Sequence, residues 1–154
     1  RKVRAGADFI MTQPVYEPEA LRAFLQRYEE EAGPLSIPIL AGVLPLVSLR
    51  HAEFLHNEIP GIMVPEAVRE RLRRAGEERA RREGLRIAQE VVAELAEFVH
   101  GLYVMPPMGR YELVFSLMEA IPPRRRGGGW TGEPVMESEG PQVSGEQEGL
   151  SDKR

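Results

Sequence analysis

Three short apolar runs constrain this chain more than any other feature. Asp8–Thr12, Ile37–Val43 and Gly101–Met105 are unbroken rather than alternating, and each is followed by a segment of helical periodicity. Continuous runs of this length read as strands buried on both faces. Strands separated by amphipathic helices predict a parallel sheet with right-handed crossovers. The first two runs begin 29 residues apart, the length of one βα unit. A sheet of three such strands has two unpaired edges. Its simplest completion is an eight-stranded β/α (TIM) barrel, with about three βα units here forming the C-terminal portion. A doubly wound sheet is the runner-up, and no Gly-x-Gly-x-x-Gly turn supports it.

The helical segments carry their own signals. Glu17-Pro18-Glu19 opens the first, with proline in the first turn and acids against the positive helix end. Leu21, Phe24, Leu25 and Tyr28 then share one face, and Gly33-Pro34 ends the helix. Ser48 caps a second helix holding Leu49, Ala52, Phe54 and Leu55, broken by Pro60 and Gly61. A long helical region starts at Pro65 and runs to about Val99. Gly76 and Gly84 are expected to divide it into two helices, the second with Leu85, Ala88, Val91, Val92, Leu95 and Val99 on one face. Tyr111–Ile121 is the last helix, with Leu113, Val114, Leu117 and Ile121 facing inward.

The composition changes near Pro122. Residues 122–154 hold seven of the 15 glycines, and their apolar residues follow no period, so a disordered tail is expected after a folded region 1–121. No apolar run approaches the roughly 20 residues of a membrane helix. The formal net charge of -4 gives no global attraction to nucleic acid or anionic membrane. With no cysteine there is no disulfide and no thiol nucleophile, which suits a cytoplasmic setting. The chain opens at Arg1 without Met, and Arg1–Ala7 reads like the end of a helix, so an upstream part of the same polypeptide is expected.

In β/α barrels the functional residues stand at strand C-terminal ends. Three places qualify. Gln13, in Thr12-Gln13-Pro14, offers a donor and an acceptor that can grip the amide-type edge of a heterocycle. Gly42-Val43-Leu44-Pro45 allows close approach to the backbone and leads to Ser48 and His51. The stretch Tyr103–Arg110 ends in Arg110, which follows a Pro-Pro-Met-Gly loop and can pair with a carboxylate in a bidentate way. Each has a plain alternative: a loop glutamine, a tight strand exit, a surface arginine. No general acid or base stands out, and His51, His56 and His100 do not form a metal pair. The eight arginines between Arg69 and Arg86 are interleaved with acids, the pattern of a solvated helix rather than a nucleic-acid stripe.

At Ala5–Gln13 and Pro38–Pro45, followed in order by the Gly84 helix and His100–Tyr103, the chain resembles the C-terminal part of the methylenetetrahydrofolate reductase family. His100–Glu112 is most similar to the bifunctional branch, in which the reductase follows a homocysteine S-methyltransferase domain. The resemblance covers residues 1–121. It implies a β/α barrel that binds FAD, takes hydride from NAD(P)H and reduces methylenetetrahydrofolate to methyltetrahydrofolate. It also implies folate-side roles for Gln13, His51, Leu55 and Arg110, and a position for Arg1 and Lys2 near the FAD diphosphate. Here His51 replaces a family glutamine, Leu55 an aromatic of some members, and Pro106-Pro107 departs from the usual Asn-Arg loop. The family's catalytic carboxylate belongs to an earlier strand, so the chain alone is expected to be inactive. Charge and hydropathy give no reason to expect a nucleic-acid or membrane partner, and a homo-oligomer is left open. Two other readings compete: a non-catalytic module docking a partner through the Leu85–Val99 face, and an RNA-associated helical protein using Arg69–Arg86 and Arg124–Arg126.

Overall fold

A computed structural model describes residues 3–119 and 121. The expectations for Arg1, Lys2 and the tail 122–154 lie outside those residues. The elements run β1 (Ile10–Pro14), α1 (Pro18–Ala32), β2 (Ile39–Val43), α2 (Leu49–Glu58), α3 (Glu66–Leu95), β3 (Gly101–Val104) and α4 (Tyr111–Met118), with short 3-10 turns at Val3–Ala5 and Pro107–Gly109.

The strands form one parallel sheet in the order β1-β2-β3. Pairing of β1 begins where the Ile10 amide meets the Pro38 carbonyl at 2.9 Å. The strand therefore lies two residues later than its apolar run suggests, and Gln13 falls inside it rather than beyond it. Ile39, Ala41 and Val43 of β2 are buried in one cluster with Ala52 and Leu55 of α2, Leu72, Ile87 and Val92 of α3 and Leu117 of α4. Leu21 and Leu25 of α1 pack against the same cluster. The helices thus cover one face of the sheet. A doubly wound sheet covers both faces and reverses its strand order, and the described strands do neither.

The helix ends follow local chemistry. Ser48 Oγ accepts the His51 amide at 3.0 Å and caps α2. Gly33 ends α1 at φ 81. The expected α1 face is only partly enclosed. Leu21, Leu25 and Tyr28 are half-buried, Phe24 stays 54% exposed, and together with Ile10, Leu35 and other residues they line an open trough of about 250 Å³. Arg22 lies 4.3 Å over the Phe98 ring and pairs with Glu97 at 3.1 Å, which ties α1 to the end of the α3 region.

The two glycines of α3 behave differently. Gly76 breaks the helix as expected, at φ 68 and ψ 169. Arg71 before the break bonds Glu83 at 2.8 Å and Glu90 at 2.9 Å after it. In a straight helix residues 71 and 90 would stand roughly 28 Å apart, so α3 folds sharply back on itself. Gly84, in contrast, is no break. It lies buried within the second arm, where a Cβ would fall 1.8 Å from the Leu46 carbonyl oxygen. The helix needs glycine there because the β2–α2 loop crosses directly against its backbone.

Candidate functional site

Because the strands are parallel and consecutive, their C-terminal ends share one edge of the sheet. Local irregularity shapes that edge first at β1. Ile10 and Met11 pair with Ile39 and Leu40, but Gly42 pairs with Pro14, so β1 carries one extra residue. This is a bulge, the usual device for re-aiming a side chain at a sheet edge. Thr12 fills the gap. Its Oγ1 accepts the Gly42 amide at 3.0 Å and donates to the Gln13 carbonyl at 2.7 Å. The Tyr103 hydroxyl, coming from β3, donates to the Thr12 carbonyl. Tyr103 reaches across β2 because its register partner is Gly42. A Cβ on Gly42 would stand 2.7 Å from that hydroxyl and 3.0 Å from the Gln13 carbonyl oxygen. The close approach that Gly42 permits is therefore used by Tyr103 of the same chain.

Gln13 projects from this bulge. Both heteroatoms of its amide lie 3.1 Å from where a Cβ on Gly61 would stand, and Gly61 sits at φ 86 in the α2–α3 loop. Glycine there leaves the amide room. Gln13 is exposed, and among the described residues its side chain makes no hydrogen bond, so its donor and acceptor are unspent. The sequence places Thr12 and Tyr103 within candidate stretches but gives neither a role, and it marks Gly61 only as a helix breaker. Each is ordinary in its own segment, and only the strand register and the loop return bring them together.

His51 lies in the first turn of α2, half-buried. Its Nδ1 accepts the Val47 amide at 3.4 Å, a weak bond that favours the neutral ring with its proton on Nε2. The Nδ1 atoms of His56 and His100 also accept backbone amides, from Val64 at 3.3 Å and Ile39 at 3.2 Å. Burial lowers the His51 pKa below its usual 6.5. The unfolded chain then binds more protons than the folded one just below pH 6.5. Stability from this ring is complete above about pH 6.5 and falls as the pH drops toward the folded-state pKa. Urea midpoints measured from pH 7.5 to 5 are expected to fall more steeply for the parent than for His51→Gln, and equal slopes would exclude the effect.

Leu55, one turn beyond His51, is 6% exposed and belongs to the core cluster. Arg110 follows β3 in a loop that turns through Met108 at φ 50 and Gly109 at φ 73. Its guanidinium is half-exposed and stands 3.7 Å from Glu112, a loose pair that leaves it able to meet another carboxylate. Gln13 near the end of β1, and His51 and Arg110 beyond β2 and β3, thus follow the C-terminal side of three neighbouring strands, while Leu55 belongs to the core. Among the described residues no group of three or more His, Cys, Asp or Glu side chains stands together as a metal site. None of the described helices is long and apolar enough to cross a membrane.

Comparison with known proteins gives this edge a context. Residues 1–121 match the family model described as methylenetetrahydrofolate reductase. A stretch of 76 residues is 37% identical to methylenetetrahydrofolate reductase 2 of Schizosaccharomyces pombe, covering 48% of this chain and 12% of that relative. In structure, the chain is similar to an uncharacterized protein from Clostridium thermocellum that binds two copies of 5-methyl-5,6,7,8-tetrahydrofolic acid. The TM-score is 0.58 at 21% identity, over 77% of this chain and 43% of that one. At that identity the likeness is one of fold.

Proposed function

Since the chain belongs to the methylenetetrahydrofolate reductase family, we propose that its sheet edge is the folate-facing wall of a reductase that converts 5,10-methylenetetrahydrofolate to 5-methyltetrahydrofolate. The observation that carries this reading is the exposed, unspent amide of Gln13 on its braced bulge. A pterin presents an amide-type edge, and one carboxamide can both donate to it and accept from it. The His51 ring would add an Nε2–H donor where the family resemblance implies a glutamine. Arg110 is suited to the carboxylate of the folate tail.

The sheet order and the one-sided helical layer support a β/α barrel wall, with the uncovered face of the sheet turned inward. Met11 and Leu40 pair on that face, and Gly101 beside Leu40 keeps it low. Such an apolar floor fits the ring side of a flavin, while Arg1 and Lys2 would serve its diphosphate. FAD would supply the redox chemistry between NAD(P)H and folate; the residues described here bind and orient the substrate. The similarity of His100–Glu112 to the bifunctional branch extends the proposal to a cytoplasmic enzyme with a methyltransferase domain on the same polypeptide.

The test is Gln13→Leu in the intact flavoprotein. Loss of a paired polar contact predicts binding of 5-methyltetrahydrofolate weakened by roughly 10- to 100-fold, about 1.5–3 kcal/mol. Flavin content is expected to stay at the parent level. Unchanged folate affinity in that variant would remove Gln13, and with it this reading, from the binding wall.

A further inference from the structure

The fold-back of α3 creates a second feature, away from the sheet edge. Arg71, Arg74, Arg79, Arg82 and Arg86 surround an open groove of about 470 Å³, with Glu83 as the one acid in its lining. Glu83 and Glu90 hold Arg71, and Glu70 holds Arg74 at 2.9 Å. Arg79 and Arg82 have no carboxylate within 4 Å among the described residues. A concave patch with unneutralised guanidiniums attracts an anion of several charges.

The same chain carries such an anion. Residues 133–152 contain Glu133, Glu137, Glu139, Glu146, Glu148 and Asp152 and no Lys or Arg. The distances also suit. Gln89 donates to the Ser116 carbonyl at 3.3 Å, so α4 runs beside the second arm of α3. Arg82 lies seven residues, roughly 10 Å, back along that arm. Between Ile121 and Glu133 the chain has 12 steps, enough to span about 40 Å. We propose that the acidic segment 133–152 docks in the arginine groove at the α3 fold-back. Each exposed pair contributes little alone, but the tether holds the segment at millimolar effective concentration. A free polyanion such as RNA has no tether and meets a chain of net charge -4.

The chain has no cysteine, so Ser144→Cys gives a single site for a spin label. Amide signals of Arg79, Arg82 and Arg86 are expected to broaden in the labelled full chain at low salt, while those of α1 stay sharp. At about 1 M salt, where the Debye length is about 3 Å, the broadening should fall several-fold. Arg79→Glu with Arg82→Glu should abolish it, with the α1 signals marking an intact fold. The salt titration tests the parent should that variant fail to fold. Uniform broadening, none, or broadening that survives high salt would overturn the proposal. So would broadening that also appears when labelled and isotope-enriched chains are mixed, because that places the segment on a second copy.

Discussion

Gly84→Ala is expected to destabilise the protein by about 3–5 kcal/mol, near the top of the range for single substitutions. Two effects oppose each other. Alanine in a helix interior is favoured over glycine by roughly 1 kcal/mol. Against this, the new Cβ would lie 1.8 Å from the Leu46 oxygen and 2.7 Å from its carbonyl carbon, both backbone atoms. Neither can rotate away. The Leu46 side chain is 1% exposed and fixes the loop in the core, so the helix or the loop must shift by more than an ångström through packed surroundings. The clash therefore decides the sign. Gly76→Ala on the same helix is the contrast. Its Cβ meets nothing within 4 Å, and only the positive φ opposes it, at roughly 1–3 kcal/mol. Urea unfolding of both variants checks the order. A Gly84→Ala midpoint at or above the parent's would show that the helix and loop do not cross as described.

The second large effect is expected at Gly42, where the loss falls on the site more than on the fold. A Cβ there would press on the Tyr103 hydroxyl at 2.7 Å and its ring at 2.9 Å, and on the Gln13 carbonyl at 3.0 Å. The tyrosine ring can swing aside, but only by releasing the Thr12 carbonyl. Gly42→Ala is thus expected to cost about 2 kcal/mol, one lost hydrogen bond plus local strain, and to loosen the bulge that aims Gln13. Folate affinity should fall by about tenfold or more if Gln13 must be held within a fraction of an ångström. A double-mutant cycle separates the causes. In a Tyr103→Ala background the same substitution should cost markedly less, with a coupling of roughly 1–2 kcal/mol. Strict additivity would mean that Tyr103 does not occupy the space above Gly42.

Much of this architecture was legible from local patterns. The second and third apolar runs, the Ser48 cap and the α1 stop at Gly33 each depend on residues close in sequence and stand within two residues of where expected, while the first strand is shifted by two. Gly84 was not legible in that way. A glycine in a helical pattern can mark a break or a close contact, and the deciding atom belongs to Leu46, 38 residues earlier. The bulge was hidden for a related reason. Gly42 alone suggests a close approach but not by what, and its relation to Thr12 and Tyr103 exists only once the register is set. The arginine pattern was read through spacings of three and four, which finds Arg74–Glu70 but not Arg71 with Glu83 and Glu90. Those partners become neighbours only after the helix turns back at Gly76.

The Tyr103–Thr12 bond closes a loop of 91 residues. Its acceptor lies in the first of the described strands and its donor in the last, so most of the described chain must be in place before it can form. Until β3 docks, the Thr12 carbonyl lacks this partner and the Gln13 bulge lacks its brace. A partly folded chain with only β1 and β2 paired would therefore present its glutamine unaimed. Acquisition of a ligand-ready edge is in this way a late event, timed by the arrival of one hydroxyl group.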